Sequence, residues 1–542
     1  MTEHDENVLA GLVAARAESQ PDLDVLTFEH LSLDGGATPD ETRTFGGLHA
    51  NAQRLSAWLI AQGMRRGDRF ALIMRNHPEF VEAMVAASIT GTIFVPVDPR
   101  TKGEKLAYYL QKADCRGLVC ADYCLPAVVD ARARGAEVGW VLAHATGEDG
   151  DAPGLEDVAG VESLAAVLDG PGATVDVRLE SPENPLQIIF TSGTTGDPKG
   201  VVFPNSRFGA YAMLGYLMGY ATDERPYTGL SLTHGNAQAI TLAPSLGMSL
   251  RAVFSRRFTK SRLWDVCRAH DCTTFSILGG MATAIYSEPE RADDADNPVH
   301  LVISAGMPAA IWEPFEARFD VRVFEWYAAV EGGLACKPIG EGPVGSFGKP
   351  LGLEMKILDD DDRECAPGVI GEICSRPLDG TAPEVEYHDD PEASAAKTRG
   401  GWLRSGDMGH TDTDGWFFFD HRKGGGIRHN GDFVNAGFVE KVAAEHPSVT
   451  DVFAYGVPAA SGAPGEKDVV VAIVPVDNTS FDPDAVFAAC RQGLESNFVP
   501  TYLEVVEEIP KTVSEKPLER FLLDRFDPSS PSVYTETRVA RA

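Results

Sequence analysis

Hydroxyl groups, glycines and one lysine are concentrated between two apolar segments at residues 191–200 (TSGTTGDPKG). Glycines let backbone amides approach an anion closely, hydroxyls donate to phosphate oxygens, and a lysine adds a positive point charge. The loop is not a Walker A motif, which needs Gly-Lys followed by Ser or Thr at the start of a helix. A polar surface turn is the alternative, but such turns rarely lie between two buried strands. We therefore predict a phosphate-binding loop made of Thr191, Ser192, Gly193, Thr194, Thr195, Gly196 and Lys199.

Four further segments carry side chains suited to nucleotide chemistry. In EWYAAVE (325–331), Tyr327 can stack on a flat ring and Glu331 can bind a cation. In GWLRSGD (401–407), Asp407 can accept hydrogen bonds from two ribose hydroxyls. The small residues of SAGMP (304–308) let a flat ring lie against the backbone, and Lys516 in IPKTVSEK supplies a cation. Taken singly, each has an ordinary alternative: a surface acid, a strand-to-helix turn or a surface lysine.

In this order along the chain, the segments resemble those of the adenylate-forming superfamily. That superfamily includes acyl-CoA synthetases, luciferases and nonribosomal-peptide adenylation domains. The resemblance runs from about Thr44 to Arg520, and residues 498–502 and 510–520 are most similar to the crotonobetaine/carnitine-CoA ligase-like branch. It implies that ATP adenylates a carboxylic acid and that the acyl group then passes to the thiol of coenzyme A, with Mg²⁺ as cofactor.

The resemblance also implies a role for each motif. Asp407 and Arg422 bind the ribose, while Thr194 and Glu331 hold Mg²⁺. His234, at the end of a predicted strand over LSLTH (230–234), lies near the acyl pocket. Two residues depart from the family pattern, since Ala328 stands for Gly and Val330 stands for Thr. The adenine site comprises Ser304, Gly306, Met307, Pro308, Glu325, Trp326 and Tyr327.

The C-terminal segments resemble the part of the family that changes orientation between the two half-reactions. Residues 1–421 form the predicted adenylation domain, residues 422–424 the hinge, and residues 425–542 a small mobile domain. In RHNGDFV (428–434), Arg428 and His429 add positive charge and Gly431 lines the pantetheine tunnel. Lys516 takes the position of the adenylation lysine, although Glu515 replaces the usual glycine. At the hinge, Gly424 replaces the usual Asp or Lys within a triple glycine, which keeps rotation easy.

The acid itself is not specified by these motifs. The pocket is expected between His234, residues 278–281, residues 304–306 and residues 326–328, with small residues that leave room. No Arg or Lys is evident there to pair with a second carboxylate, and a medium-sized or cyclic acid is our hypothesis. Two alternatives remain open: an adenylation domain that loads a carrier-protein thiol, and a non-catalytic nucleotide-binding member of the fold. No carrier motif follows the Lys516 segment, which favours free coenzyme A.

The elements that position these residues alternate between strand and helix. Residues 44–62 have apolar positions at helical spacing, and a strand at 69–74, a helix at 76–90 and a strand at 92–97 follow. Strand, helix, strand in that order predicts parallel pairing with right-handed crossovers. The predicted fold is α/β, with parallel or mixed sheets and helices in a large N-terminal domain and a small α+β C-terminal domain.

Composition restricts the class of protein. The 542 residues carry 47 Lys and Arg against 80 Asp and Glu, a net charge of −33, which repels nucleic acid and anionic lipid. Local positive groups must therefore overcome the overall field if ATP or coenzyme A binds. Nine cysteines without a CxxC pair predict reduced, mostly core thiols and no zinc finger. The start of the chain lacks signal-peptide features, so we expect a cytoplasmic enzyme. Oligomeric state is not encoded in these patterns.

Overall fold

The computed structural model describes residues 5–148, 152–191, 198–422, 427–430, 432–462, 466–477, 481–510 and 519–536. For residues 280, 283, 421, 422 and 433 it describes the backbone alone. The chain divides into two compact units that are interleaved in sequence. The first comprises Met1–Pro99, Tyr108–Thr191 and Gly200–Asp420, and the second comprises Arg100–Ala107, Ser192–Lys199 and His421–Ala542. The predicted domain limits and the hinge at 422–424 remain predictions.

Strands occur throughout the described residues. In the first half of the chain they are β1 (Asp24–Glu29), β2 (Glu41–Thr44), β3 (Arg69–Ile73), β4 (Ile93–Pro96), β5 (Cys115–Ala121), β6 (Trp140–His144), β7 (Val161–Ser163), β8 (Pro185–Thr191), β9 (Lys199–Pro204), β10 (Pro226–Thr228), β11 (Ala252–Ser255) and β12 (Thr274–Leu278). In the second half they are β13 (Leu301–Ala305), β14 (Arg322–Ala329), β15 (Gly332–Lys337), β16 (Lys349–Pro350), β17 (Leu353–Leu358), β18 (Gly371–Pro377), β19 (Leu403–Thr411), β20 (Phe417–Arg422), β21 (Ile427–His429), β22 (Asp432–Val434), β23 (Val449–Pro458), β24 (Lys467–Pro475), β25 (Tyr502–Val505) and β26 (Val533–Thr535).

Helices alternate with these strands. They are α1 (Leu9–Ser19), α2 (Leu31–Asp34), α3 (Phe45–Ala61), α4 (Pro78–Thr90), α5 (Gly103–Lys112), α6 (Leu125–Ala133), α7 (Leu164–Leu168), α8 (Asn205–Ala212), α9 (Leu214–Leu217), α10 (Ala243–Met248), α11 (Leu263–Ala269), α12 (Gly279–Tyr286), α13 (Trp312–Phe319), α14 (Pro391–Lys397), α15 (Ala436–Ala444), α16 (Pro483–Gly493) and α17 (Glu519–Leu523). The longest, α3, has 17 residues. Within the described residues no helix has the length and apolarity needed to cross a bilayer.

The sheets have the parallel and mixed topology that the sequence predicts. A seven-stranded sheet has the order β7-β6-β5-β3-β4-β8-β9, and the strand pairs from β7 to β8 are all parallel. A nine-stranded sheet has the order β16-β15-β14-β13-β12-β10-β11-β1-β2. It is parallel from β14 to β1 and antiparallel at both edges. A third, four-stranded antiparallel sheet has the order β17-β18-β19-β20.

Helix α4 is enclosed on every side. All 13 of its residues are buried, so the helix is surrounded by core rather than presenting one apolar stripe. Two of its residues are acids, Glu79 and Glu82, and Arg43 forms an ion pair with each at 3.0 and 2.7 Å. This pairing offsets part of the cost of burying the two carboxylates. Helix α4 therefore contributes charged as well as apolar groups to the interior.

One predicted strand is wrong. Residues 230–234 form a turn rather than a strand, and the neighbouring strand β10 ends at Thr228. Side chains replace the ladder here, because the Asn76 amide donates to the Leu230 carbonyl and accepts from the Leu232 amide, both at 2.8 Å. The Gln238 side chain donates to the Leu232 carbonyl at 2.8 Å. The family resemblance thus implied a strand where polar side chains satisfy the backbone instead.

The second unit contains an α+β core. Strands β23-β24-β25-β26 form one sheet, and α15 and α16 pack through apolar residues that include Val439 and Phe487. Strands β21 and β22 form a separate hairpin with Arg428 paired to Phe433, and the turn contains Asn430 at φ +52°. This arrangement agrees with the small α+β domain expected from the sequence. All nine cysteines of the chain are free thiols and eight are buried, as predicted.

Candidate active site

The predicted phosphate loop connects two strands of the seven-stranded sheet. Strand β8 ends at Thr191 and β9 begins at Lys199, as the sequence predicts. The loop residues between them, Ser192, Gly193, Thr194, Thr195 and Gly196, lie outside the described residues, and their roles remain predictions. Parallel strands deliver the loops that follow them to one edge of a sheet, which is where ligands bind in open α/β sheets. The position of this loop after β8 therefore fits a ligand site.

A carboxylate from the neighbouring strand shapes the predicted adenine turn. Strand β13 ends at Ala305, and Gly306 follows with φ +93°, a conformation that favours glycine. The Glu325 carboxylate on β14 accepts hydrogen bonds from the Gly306 amide and, at 3.1 Å, from the Met307 amide. Burial raises the pKa of Glu325 to about 8, although the two amides favour the charged form. The Glu325 side chain therefore positions this turn by binding the backbone amides of the turn.

Close backbone approach makes the same region compact. Leu278 on β12 pairs with Ala305, and Ser304 on β13 pairs with Glu325. A Cβ atom on Gly279 would lie 2.1 Å from the Gly306 carbonyl oxygen, so only glycine fits there. The predicted acyl-pocket segments from β12, β13 and β14 are thus neighbours at one edge of the nine-stranded sheet. Ser304 and Met307 are buried, and Pro308 is half-buried in the turn that follows.

Tyr327 and Asp407 are brought together from positions 80 residues apart. The Tyr327 hydroxyl donates a 2.6 Å hydrogen bond to Asp407 Oδ2. One face of the Tyr327 ring stacks on Phe347, with centroids 4.5 Å apart and planes at 27°. Asp407 is buried in β19, four residues into a strand of the antiparallel sheet. An aromatic ring and a carboxylate from two different sheets are therefore in direct contact.

Glu331 occupies the turn of the β14–β15 hairpin, where Ala329 pairs with Gly332. Its Oε1 accepts a 2.6 Å hydrogen bond from the Tyr387 hydroxyl and forms a 3.0 Å ion pair with Lys397. Burial alone would raise the pKa of Glu331, but Lys397 and Tyr387 outweigh it and lower the pKa. Glu331 is thus a charged, nearly buried carboxylate, the form that a divalent cation needs.

The sequence did not predict the residues that contact Glu331. Lys397 ends helix α14 and also donates to the Ser405 carbonyl at 3.2 Å, which links it to the strand of Asp407. Arg207 donates to the carbonyl oxygens of Val330 and Glu331 at 2.9 and 3.4 Å. No motif spacing marks Lys397, Tyr387 or Arg207 in the sequence, because only the tertiary fold brings them to the hairpin. Lys397 and Arg207 supply local positive charge in a chain of net charge −33.

Val330 has an apolar surrounding. It packs against a cluster that contains Ile189, Phe203 and Tyr387. A hydroxyl at this position would have to find a hydrogen-bond partner among apolar groups. The cluster therefore brings Ile189, near the end of β8, together with Tyr387, the hydrogen-bond partner of Glu331. Val330, which stands where the family pattern has threonine, therefore lies in an environment that suits an apolar side chain.

The remaining predicted residues have other contacts or lie outside the part of the chain that the structure describes. His234 is exposed, and its Nδ1 accepts a 3.2 Å hydrogen bond from the Asn236 amide. Trp326 packs in an apolar cluster, and its indole nitrogen is buried without a hydrogen-bond partner. Arg422 ends β20, with no side chain described. Gly431 and Lys516 lie outside the described residues, so their roles stay predictions.

The expected positive loop in the second unit is largely neutralised. Arg428 forms a 3.2 Å ion pair with Glu466. His429 is buried, and its Nδ1 lies 2.8 Å from the Lys467 carbonyl oxygen and 3.7 Å from an Asp468 carboxylate oxygen. The two residues were predicted to add positive charge for an anionic ligand. Their acidic neighbours offset that charge, so the prediction needs this correction.

Family models match most of the chain. The model described as AMP-binding enzyme matches residues 13–379, and the AMP-binding enzyme C-terminal domain matches residues 439–516. A medium/long-chain-fatty-acid–CoA ligase of Mycobacterium marinum is 28% identical over 481 residues, covering 86% of this chain and 89% of that protein. A crotonobetaine/carnitine–CoA ligase of Salmonella typhimurium is 26% identical over 487 residues, covering 88% of this chain and 92% of the relative.

Solved structures show the same fold. The o-succinylbenzoate CoA synthetase of Bacillus subtilis has a TM-score of 0.76 at 22% identity, over 95% of this chain and 98% of that chain. The amide bond synthetase of Marinactinospora thermotolerans has a TM-score of 0.74 at 23% identity, over 90% and 95%. A Mycobacterium tuberculosis fatty acyl CoA synthetase has a TM-score of 0.65 at 21% identity, over 96% and 99%. At these identities the likeness is one of fold.

Proposed function

Because the chain belongs to the AMP-binding enzyme family, we propose that it is an AMP-forming carboxylic acid–CoA ligase. It would adenylate an acid with ATP and transfer the acyl group to coenzyme A. The relatives that match nearly the whole chain carry names of CoA ligases, which supports a thiol of coenzyme A as the acceptor. The acid remains the less defined part of the proposal.

The hydrogen bond between Tyr327 and Asp407 is the observation that carries this proposal. In the proposed complex, adenine lies on the ring face of Tyr327 opposite Phe347, and Asp407 accepts hydrogen bonds from the ribose hydroxyls. The Gly306 turn, held by Glu325, then supplies backbone along the edge of the base. These three groups come from β13, β14 and β19 and would hold one nucleoside. The hydrogen bond fixes both side chains before the nucleotide arrives.

Glu331 fits a magnesium ion by its chemistry. It is a carboxylate with a lowered pKa, and oxygen ligands of this kind are those that Mg²⁺ prefers. Thr194 is the second residue proposed to hold the ion. When bound, Mg²⁺ would neutralise charge on the triphosphate. Lys397 and Arg207 stand beside Glu331 and would add to the positive potential felt by the phosphates.

In the first step, the protein would position the acid and ATP and neutralise the negative charge of the phosphates. A carboxylate oxygen of the acid attacks the α-phosphorus of ATP, the bond from that phosphorus to the bridging oxygen breaks, and pyrophosphate leaves. Lys199 and the loop hydroxyls would hold phosphate oxygens, and Lys516 would bridge the acid and the α-phosphate as negative charge moves. In the second step the thiol sulfur of coenzyme A attacks the acyl carbonyl carbon. AMP leaves and the thiol proton is released.

The second unit would exchange roles between these steps. We propose rotation about residues 422–424, so that Lys516 serves adenylation and the hairpin around Gly431 serves thiol transfer. Domain closure at element-terminal residues is a common way to separate two half-reactions. Strand β20 ends at Arg422, and the triple glycine begins two residues later at Gly424, where the wide φ/ψ freedom of glycine would permit the proposed rotation.

For the acid, we propose a medium-sized or cyclic monocarboxylic acid. The named relatives act on fatty acids of medium or long chain and on crotonobetaine or carnitine, so both apolar and polar acids belong in a test panel. The predicted pocket is lined partly by small residues, and Trp326 offers a buried N–H that has no hydrogen-bond partner. An acid with a hydrogen-bond acceptor beyond the carboxylate would satisfy that N–H.

The test is a pyrophosphate-release screen over the acid panel with Mg-ATP, first without and then with coenzyme A. We expect release with at least one acid and an acyl-CoA product by mass spectrometry. Tyr327→Phe keeps the ring but removes the donor to Asp407, and should raise KM for ATP about 10-fold, as for a hydrogen bond to a charged group. Tyr534→Phe, at an exposed tyrosine in the second unit, is the matched control.

Each other outcome would contradict a defined part of the proposal. Release without acyl-CoA formation, but with transfer to a phosphopantetheinyl carrier, would support the carrier-loading alternative. Nucleotide binding without any pyrophosphate release would favour the non-catalytic alternative. If Tyr327→Phe and Tyr534→Phe had equal KM values for ATP, the nucleoside site would lie elsewhere.

A further inference from the structure

We propose that His77, Glu79 and His144 form a binding site for one divalent transition-metal ion of the Zn²⁺ type, separate from the nucleotide site. One ligand atom from each of the three residues lies within 4.8 Å of the other two. Glu79 Oε2 and His144 Nε2 are 3.7 Å apart, and the two imidazole rings have centroids 5.3 Å apart with planes at 75°. The inference stands on this cluster and not on the proposed ligase activity.

The fold brings the three residues together from two strand ends. His77 is the N-cap residue of α4, the helix that follows β3, and Glu79 is the second residue of that helix. His144 is the last residue of β6. Strands β3, β5 and β6 are neighbours and parallel, so β3 and β6 end at the same edge of the sheet. The cluster is therefore positioned by the best-buried part of the first unit.

Two of the atoms in this cluster are buried and unsatisfied. His77 Nδ1 and Glu79 Oε2 have no hydrogen-bond partner, although His77 is 1% exposed and Glu79 is 4% exposed. An unpaired polar atom in the interior is costly, and each one in a native protein needs an explanation such as a bound ion. A cation bound through His77 Nδ1 and Glu79 Oε2 would satisfy both atoms at once.

The other atoms of the same side chains already have the partners that metal ligands usually have. His77 Nε2 lies 3.1 Å from the Tyr123 hydroxyl, and Glu79 Oε1 pairs with Arg43 at 3.0 Å. If His77 Nε2 carries the proton and donates it to Tyr123, the lone pair of Nδ1 is left for a metal. Such outer contacts orient metal-binding side chains in known sites.

Electrostatics permits a cation here. Burial holds the pKa of His77 well below its usual value and also lowers that of His144, so both imidazoles are neutral, the form that binds metals. The carboxyl groups around the cluster outnumber the guanidinium groups, although burial raises the pKa of Glu79 and raises that of Glu82 to about 7. They are Glu41, Glu79, Glu82, Glu148 and Asp122 against Arg43, Arg75 and Arg256.

The donor set selects the class of metal. Two imidazoles and one carboxylate suit Zn²⁺ and its neighbours Co²⁺ and Ni²⁺, whereas Mg²⁺ and Ca²⁺ prefer oxygen ligands alone. Ligand atoms bound to one Zn²⁺ are about 3.3 Å apart at bond lengths of about 2.0 Å. The 3.7 Å between Glu79 and His144 is close to that value. The His144 side chain is 17% exposed, so a water molecule can complete four-coordination.

The site is distinct from the proposed magnesium site by topology. His144 ends β6, which is four strand positions from β8, the strand before the predicted phosphate loop, and His77 and Glu79 follow β3, which is two positions from β8. At about 4.8 Å per strand, these separations are about 19 Å and about 10 Å. A metal bound by the three residues would thus connect the start of α4 to the end of β6, on the side of β3 away from β8. We infer a structural role for it.

The experiment uses the full chain without a histidine tag, freed of metal with a chelator and titrated with Co²⁺. We expect one Co²⁺ per chain with visible ligand-field bands, displacement by Zn²⁺, and a higher Tm in the metal-bound protein. His144→Ala should weaken binding at least about 10-fold, since even outer-shell changes have effects of that size. His446→Ala is the control, a part-buried histidine of the second unit whose Nδ1 contacts Ser448.

Wild-type protein alone can also overturn the proposal. X-ray absorption at the zinc edge should show nitrogen and oxygen neighbours with imidazole scattering, and this measurement does not depend on whether His144→Ala folds. Sulfur neighbours would assign the metal to the nine cysteines. Binding below one ion per chain after loading, or equal affinity in His144→Ala and His446→Ala, would contradict the site.

Discussion

Lys397 Nζ lies 3.0 Å from Glu331 Oε1, between the end of helix α14 and the turn of the β14–β15 hairpin. The two side chains are only 17% and 9% exposed, so the pair is largely removed from water. Burial would favour the neutral acid, and Lys397 with Tyr387 reverses that preference. The ammonium group therefore keeps the carboxylate charged at the point where the phosphates are proposed to lie.

The first prediction concerns Lys397→Met. Without the ammonium group, burial is opposed only by Tyr387 and a backbone hydrogen bond, so the pKa of Glu331 should rise from its lowered value. The variant should lose activity as the pH falls, because protonated Glu331 cannot bind a cation. We expect kcat/KM for ATP about 10-fold lower than wild type at pH 6 and closer to wild type at pH 9, since one pKa unit is a factor of ten.

Pyrophosphate release measured from pH 5.5 to 9 checks this outcome. Lys356→Met is the matched control, because Lys356 forms a 2.7 Å ion pair with Glu364 and is about one-third exposed. A constant ratio between Lys397→Met and wild type across that range would show that Lys397 does not control the charge of Glu331.

The second prediction separates backbone strain from function at Gly306. This residue has φ +93°, and a Cβ atom there would meet only Gly279 backbone atoms, at 3.9 and 4.0 Å. Gly306→Ala should therefore lower the free energy of unfolding by about 1–2 kcal/mol, the cost of a side chain in the left-handed region. It should also displace the amide that donates to Glu325 and raise KM for ATP about 10-fold.

Gly368→Ala is the control, because it introduces the same kind of backbone strain at a residue outside the candidate site. Gly368 has φ +80° and no neighbour within 4 Å of an added Cβ. Urea unfolding should show similar destabilisation for both variants, and steady-state kinetics should show a raised KM for Gly306→Ala alone. Equal KM values would mean that the turn does not contact ATP.

The third prediction concerns the pH dependence of stability at Glu325. Its folded pKa is about 8, raised by burial above the usual 4.5. The folded protein then binds the proton more tightly than the unfolded chain. This contribution to stability is complete below pH 4.5 and disappears as pH rises through 8. Its slope within this range is at most about 1.4 kcal/mol per pH unit.

Glu325→Gln should remove that slope, because an amide does not titrate. We expect the difference in free energy of unfolding between wild type and variant to shift in favour of the variant as pH increases from 6 to 9. Chemical unfolding at each pH measures it, and Glu313→Gln, at an exposed acid in α13, gives the background. A difference that is constant with pH would show that Glu325 does not change protonation in this range.

The sequence predicted the elements more completely than the site. Apolar strands with glycine-rich connections identified β8 and β9, and motif types predicted that Tyr327 and Asp407 share a nucleotide site, two side chains that the structure joins by a hydrogen bond. Lys397 could not be found in this way, because its contact with Glu331 depends on where α14 packs. The strand expected at 230–234 failed because Asn76, about 155 residues earlier, satisfies that backbone. The pattern of residues within a short segment does not show which distant side chains will contact that segment in the fold.

The last prediction distinguishes the two lysines in IPKTVSEK (509–516), both of which lie outside the described residues. The family register assigns Lys516 to adenylation and leaves Lys511 without a role. Lys516→Ala should reduce ATP–pyrophosphate exchange by at least about 100-fold, because it removes a cation matched to charge that develops in the transition state. Transfer from a supplied acyl-adenylate to coenzyme A should remain, since the second half-reaction uses the other orientation.

Lys511→Ala changes the same charge five positions away and should leave both half-reactions close to wild type. Comparing exchange with single-turnover thioester formation in the two variants tests the assignment directly. If Lys516→Ala exchanged normally while Lys511→Ala did not, the register of the motif would be wrong and Lys511 would be the adenylation lysine. If both half-reactions fell equally in Lys516→Ala, this lysine would support the fold of the second unit rather than one orientation, and the proposed rotation about 422–424 would lose its main sequence support.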